Sequence, residues 1–275
     1  MSVSVQDPPV RSQDPVTEPG TPERSRIRLP DLRRWISPVA LLVLWQVASS
    51  TGLLSPDKLS SPWTVLQAGV ETARSGELGQ AFAVSIGRVG LGFLLGAGIA
   101  VLLGIVAGLS RWADVLIDPP VQMLRTLPFL GLIPLLILWF GIGEQPKIIL
   151  VALGVAFPLY LNVHAGIRNT ESQLVEATTA LGYTRLERLR HVILPSAVPQ
   201  ALVGLRQSLG IAWLALIVGE TVNADAGLGY LINNAREFLR TDVIVVGLIV
   251  YATLGLVTDA LVRLLERRVL RWRTA

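Results

Sequence analysis

Long apolar runs alternate along the chain with short polar intervals. A charge-poor run of about 18 residues or more is long enough to cross a bilayer as a helix, which satisfies its backbone groups internally. The pattern predicts six such spans, about Ile36–Leu54, Phe82–Leu109, Met123–Ile142, Lys147–Ile167, Ala197–Thr221 and Val243–Leu265. The third is the least regular, because Pro128 and Pro134 each remove a backbone donor and bend the axis. In the second, Gly92, Gly96, Ala100, Gly104 and Gly108 recur four residues apart. Lipid supplies no hydrophobic drive between helices, so a ridge of small residues serves close backbone packing. It reads as packing within one subunit or as a surface that slides.

One polar interval is strongly patterned. From Thr170 to Pro195 the chain reads TESQLVEATTALGYTRLERLRHVILP. Thr170 with Gln173 fits a capping box that starts a helix at about Glu171. Leu174, Ala177 and Leu181 then share a face, predicted to turn inward, and Gly182 can take the left-handed conformation that ends a helix. Thr184 with Glu187 makes a second box, Leu186, Leu189 and Ile193 give the second helix its apolar face, and Pro195 stops or bends it. The interval is therefore a helix-turn-helix elbow between spans four and five, with a charged outer ridge.

Composition agrees with an all-α polytopic membrane domain. Of 275 residues, 51% are hydrophobic and only 16% charged, against about a quarter charged in soluble domains. The absence of cysteine excludes disulfides and thiolate metal sites, and the two histidines, His164 and His191, lack metal-binding spacing. Residues 1–30 are rich in Pro, Ser and charge and are predicted to be a disordered cytoplasmic tail, not a cleavable signal, ahead of the membrane domain from residue 31 onward. The net charge of +4 is edge-weighted. Arginines 24, 26, 28, 33 and 34 precede the first span, Arg111 and Arg125 bracket the second connection, and Arg168, Arg185, Arg188 and Arg190 fill the elbow. Arginines 263, 267, 268, 271 and 273 end the chain. This asymmetry reads as orientation, with both termini and the elbow cytoplasmic, and nucleic acid is not an expected partner.

Glu176-Ala177-Thr178, Gly182, Val192, Leu194 and Pro195 resemble the EAA motif of importer-type ABC transporter permeases. Thr178 stands where the family has Ala, and Val192 where it has Ile. The resemblance covers residues 35–273, and the stretches from Gln122 to Tyr160 and from Asn234 to Trp272 are similar to the aliphatic sulfonate subgroup, with taurine and nitrate permeases close behind. It implies six transmembrane helices and coupling helices that dock on an ATP-binding subunit through Glu176, Ala177, Thr178, Gly182, Leu194 and Pro195. It also implies an extracytoplasmic substrate-binding protein, a permease homodimer and a cytoplasmic membrane location. The chain has no Gly-x-x-x-x-Gly-Lys-Ser/Thr loop, so ATP is expected on a separate subunit. The chain is expected to be a transport subunit without catalytic residues, cofactor or metal of its own.

Charges inside spans are costly and mark function by default. Arg88 offers a forked donor to an oxyanion such as a sulfonate, or alternatively pairs internally with Glu220 or snorkels to the interface. Glu220 beside an anion path suggests a structural or gating role, and Trp213 either walls the path or packs. Asp259 is expected to pair with Arg263, one turn on. No Ser–His or paired-Asp arrangement within the spans supports an intramembrane enzyme. A lone secondary transporter would show inverted repeats, and none is clear.

Overall fold

The computed structural model describes residues 33–55 and 58–271, so the tail predicted at 1–30 lies outside the described residues. Among the described residues every regular element is a helix. In order these are α1 (Arg33–Ser50), α2 (Pro62–Arg74), α3 (Glu77–Leu109), α4 (Arg111–Leu124), α5 (Phe129–Phe140) and α6 (Glu144–Arg168). There follow α7 (Ser172–Ala180), α8 (Arg185–Arg188), a π turn (Leu189–Ile193), α9 (Leu194–Asn223), α10 (Leu228–Glu237) and α11 (Thr241–Val269). Residues from Leu42 onward form one compact unit, and the turns of α1 before it expose Ile36, Val39 and Leu41. Among the described residues, four helices are long and apolar enough to cross a membrane: α3, α6, α8 with α9, and α11. Two shorter apolar helices stand where the first and third spans were predicted.

The small-residue ridge of α3 sets the bundle's spacing. A Cβ added at Gly92 would lie 2.7 Å from Val151, and one at Gly108 would lie 2.8 Å from Ile167. At Gly96 it would collide with the Ala152 carbonyl, and at Gly104 with Val163. The ridge therefore packs within this subunit, against α6. Positions rise together along the two helices, so α3 and α6 run parallel. α9 runs antiparallel to α6, since Gly166 meets Ala197, Gly204 meets Asn162, and Gly219 meets Leu150. α11 is antiparallel to α9, because Arg206 pairs with Asp259 while Trp213 meets Tyr251.

Two parallel helices adjacent in space require a return crossing between them. Here α4 and α5 make it together. The single span predicted at Met123–Ile142 does not form, because α4 ends at Leu124 and α5 starts only after Pro128. Proline disfavours the helical region for the residue before it, which opens the chain at Leu127. The 12 residues of α5 reach about 18 Å, short of the roughly 30 Å hydrocarbon core. Helices α2 and α10 were not predicted. Ser61 caps α2, its hydroxyl accepting from the Thr64 N–H at 3.2 Å, with Pro62 in the first turn.

Gly96→Val is expected to cost more than the roughly 1–3 kcal/mol typical of overpacking, because rigid backbone stands in the way. Gly98→Val, at a position with nothing within 4 Å, is the control. Thermal unfolding of the two variants in detergent checks this: the first midpoint falls steeply and the second stays near wild type.

Candidate functional site

The elbow occupies the end of the bundle where α6 finishes and α9 begins. The second capping box forms as predicted: the Thr184 N–H donates to the Glu187 carboxylate at 2.8 Å, and the Glu187 N–H donates to the Thr184 hydroxyl at 3.3 Å. The backbone bond from Thr184, and then its hydroxyl, holds the Glu187 carboxyl below its ordinary range. Gly182 has φ +83°, and the Gly182 and Tyr183 N–H groups donate to Thr179 and Thr178 carbonyls, each at 3.0 Å. That pair of bonds is a Schellman closure, which glycine makes without strain. The Arg188 guanidinium donates to the Thr179 hydroxyl and ties the two legs together.

Three expectations for the elbow are corrected. The Thr170–Gln173 box does not form, because the Thr170 N–H closes α6 on Ile167, the cap of α7 falls one residue later at Glu171, and the Thr170 hydroxyl is buried without a partner. The face of Leu174, Ala177 and Leu181 points outward, and Leu181 and Leu186 are 75% and 71% exposed. Pro195 does not stop its helix: α8, the π turn and α9 run on as one helix from Arg185 to Val222. A proline ring clashes with the carbonyl four residues earlier, and the wider π turn, ending two residues before Pro195, relieves that clash. Glu176, Ala177 and Gly182 are thus displayed on α7 and its closing turn, Thr178 is half-buried with its hydroxyl on the Leu174 carbonyl at 2.9 Å, and Leu194 and Pro195 lie half-buried at the root of α9.

A polar clamp braces the base of the elbow. His164 and Arg168, on the last turn and a half of α6, both hold Asp114 of α4, the histidine at 2.8 Å. Tyr160 stacks on His164 and donates to Asp118 at 3.2 Å. His191 is exposed, with Nδ1 3.0 Å from the Glu187 carbonyl. Asp259 pairs with Arg263 at 2.9 Å, as predicted, and also with Arg206 at 3.3 Å.

The opposite end holds a buried charge hub. Arg88 is 4% exposed and Glu220 1%. Arg88 Nη1 donates to Glu220 at 2.6 Å and to the Ala226 carbonyl at 2.6 Å, while Nε and Nη2 fork onto Glu144 at 2.5 and 2.6 Å. Glu220 also accepts from the Ser85 hydroxyl at 2.8 Å, the Gly229 N–H at 2.8 Å and the Tyr251 hydroxyl at 3.2 Å. Gly227, at φ +117°, leaves the room that this carboxylate fills. Five helices therefore converge on one ion pair, which settles the pairing of Arg88 internally. Trp213 is buried, meets Tyr251 edge-on with ring centres 6.4 Å apart, and has an indole N–H without an acceptor.

The sequence reading missed Glu144, Lys147, Ser85 and Tyr251. Lys147 is 4% exposed, and its Nζ lies 3.2 Å from Glu144. The spacing Glu-x-x-Lys just ahead of an apolar run was the available signal.

A helical bundle of membrane-length spans, with a structured polar elbow fused to one of them, defines a polytopic membrane protein of the transporter type. Residues 100–271 match the family described as binding-protein-dependent transport system inner membrane component, and the chain belongs to that family. It is 50% identical to an aliphatic sulfonates transport permease protein of Escherichia coli over 88% of this chain and 92% of that one. A protein of the same name from Bacillus subtilis is 44% identical, covering 86% of each chain. A taurine transport system permease protein of Escherichia coli is 35% identical over 84% of this chain and 86% of the relative. A crystal structure of an amino acid ABC transporter shares the fold, with a TM-score of 0.61 at 17% identity, over 72% of this chain and 97% of that one.

Removing one member of a buried pair strands the other charge, which costs about 3–5 kcal/mol. Glu220→Ala is expected to lower the unfolding midpoint of the purified protein by that mechanism. An unchanged midpoint would show that Arg88 finds other partners.

Proposed function

We propose that this permease carries alkanesulfonates inward across the membrane, driven by ATP hydrolysed on a separate subunit gripped by the elbow. The observation that carries the coupling role is the elbow's form: exposed apolar Leu174, Ala177 and Leu181 on α7 and its Schellman turn, beside exposed Leu186 on a capped leg continuous with a spanning helix. Exposed apolar residues held this rigidly suit a partner groove. Glu176, Ala177, Thr178 and Gly182 shape the docking turn, and Leu194 and Pro195 root it in the membrane.

Arginine bias supports a cytoplasmic elbow and cytoplasmic termini, with Arg111, Arg168, Arg185, Arg188 and Arg190 on that side. The hub then faces the extracytoplasmic side, where a substrate-binding protein delivers its cargo. Two copies of the chain form the permease pair, and the path runs along α9 beside Trp213, with Arg88 and Glu220 at its outer end. The substrate class rests on the named relatives, among which two are sulfonate permeases and one a taurine permease. In this scheme ATP binds the conformer with the elbows drawn together better than the other, and only that difference can move the equilibrium.

Two linked measurements test the reading. Cells lacking their own alkanesulfonate permease should take up labelled butanesulfonate when given this chain, and only with an active ATPase partner. Gly182→Pro, which cannot adopt φ +83°, should leave the protein in the membrane and the ATPase turning over while uptake falls at least tenfold. Uptake without any ATPase, or normal coupled uptake in the variant, contradicts it.

A further inference from the structure

The hub is unequal in a way that a purely structural ion pair does not need. Glu220 is sealed in, with 0% of its side chain exposed, and it takes bonds from Arg88, Ser85, Gly229 and Tyr251. Glu144 bonds the two cations, Arg88 and Lys147, and 55% of its side chain is exposed. Yet Glu144 holds the better half of the guanidinium, the Nε–Nη2 fork that matches a planar pair of oxygens. Lys147, with 5% of its side chain exposed, has Glu144 as its ion-pair partner.

The charges balance as two cations, Arg88 and Lys147, against two carboxylates. If Glu144 swings outward, the site keeps two buried cations and one buried carboxylate, a net charge of +1. A single oxyanion restores neutrality. We propose, building on the sulfonate reading, that Arg88 and Lys147 form a substrate oxyanion site in the permease, and that Glu144 is its exchangeable plug. The incoming sulfonate takes the fork that Glu144 vacates, and Lys147 closes on a third oxygen. Glu220 stays in place and keeps the guanidinium oriented.

The surroundings suit a small anion with an apolar tail. Beside Lys147 lies a cavity of about 10 Å³ lined by Ile133, Leu136, Ile137, Pro146, Leu150 and Gly219. This is room for about one water, so an alkyl tail enters only as α5 withdraws from α6. α5 is built to do so: it is 12 residues long, opens after Pro128, and closes at Gly141, whose φ is +77°. Substrate entry is thereby coupled to displacement of the short half of the broken crossing.

The test uses the purified transporter with its ATPase subunit in lipid nanodiscs, without nucleotide or binding protein. Titration calorimetry measures butanesulfonate, nitrate and the uncharged dimethyl sulfone. Glu144→Gln, which keeps shape and loses charge, should bind butanesulfonate about tenfold tighter than wild type, with the gain shrinking as salt rises. Dimethyl sulfone should show no gain. Adding Arg88→Lys to Glu144→Gln should abolish the gain, since an ammonium lacks the fork. Should that double variant fail to fold, Lys147→Met in the same background carries the test and should lose most of the gain. Equal affinity in wild type and Glu144→Gln for butanesulfonate and nitrate alike, or a gain that survives both second substitutions, overturns the site even where sulfonate uptake is intact. A gain for nitrate with none for butanesulfonate supports the oxyanion site and overturns the sulfonate reading instead.

Discussion

The continuity of one helix from Arg185 to Val222 is the constraint on which the other features depend. Its first turns are a leg of the elbow, its middle carries Trp213, and Glu220 lies near its far end. Thirty-eight residues of helix span about 57 Å, more than a bilayer's thickness. A helix transmits axial and rotational displacement because every peptide is bonded to the next turn. Had Pro195 broken this one, the elbow would swing without moving the hub. The π turn at Leu189–Ile193 absorbs the proline's misfit and keeps the rod whole.

In the proposed coupling the rod moves against a frame built of α3 and α6. On α3 the small residues bring its backbone against α6 so closely that no side chain fits between them, and in lipid such contact replaces the hydrophobic drive available in water. The clamp of Asp114 with His164 and Arg168 fastens α4 to this frame at the elbow end. At the other end the hub joins rod to frame through Glu220 and Arg88. Buried ion pairs add little net stability against apolar substitutes, yet they penalise every arrangement that separates them. The hub therefore holds one defined closed geometry, with Glu144 as its exposed member.

Features fixed by short-range chemistry were legible in the sequence. The Thr184–Glu187 box and the Gly182 turn depend only on residues three to five apart, and they form as read. The paired Thr170 and Gln173 failed because the end of α6 had already claimed Thr170, a competition between two helix ends that spacing alone does not reveal. Periodicity located the apolar face of α7 but assigned it to the wrong side. A partner's groove and a protein core demand the same residues. Arg88 and Glu220 stood out as charges within spans, but their meeting across 132 residues follows from tertiary packing. Glu144 went unread because it sat in what looked like an ordinary polar connection, and Lys147 served only as the first residue of the fourth span. The third span was obscured by Pro128, which divides one crossing between two helices.

The most direct test of the rigid rod is a distance within it. The chain has no cysteine, so Leu186→Cys and Val222→Cys place two spin labels on exposed positions without background. With the doubly labelled chain diluted into unlabelled chain, so that each permease pair carries at most one labelled copy, double electron–electron resonance on the transporter with its ATPase subunit should give one narrow distribution at about 50 Å, unchanged between nucleotide-free and ATP-bound states. A second population, or a shift by about a helical turn, ~5 Å, on ATP binding, would show that the rod bends and that the elbow does not drive the hub.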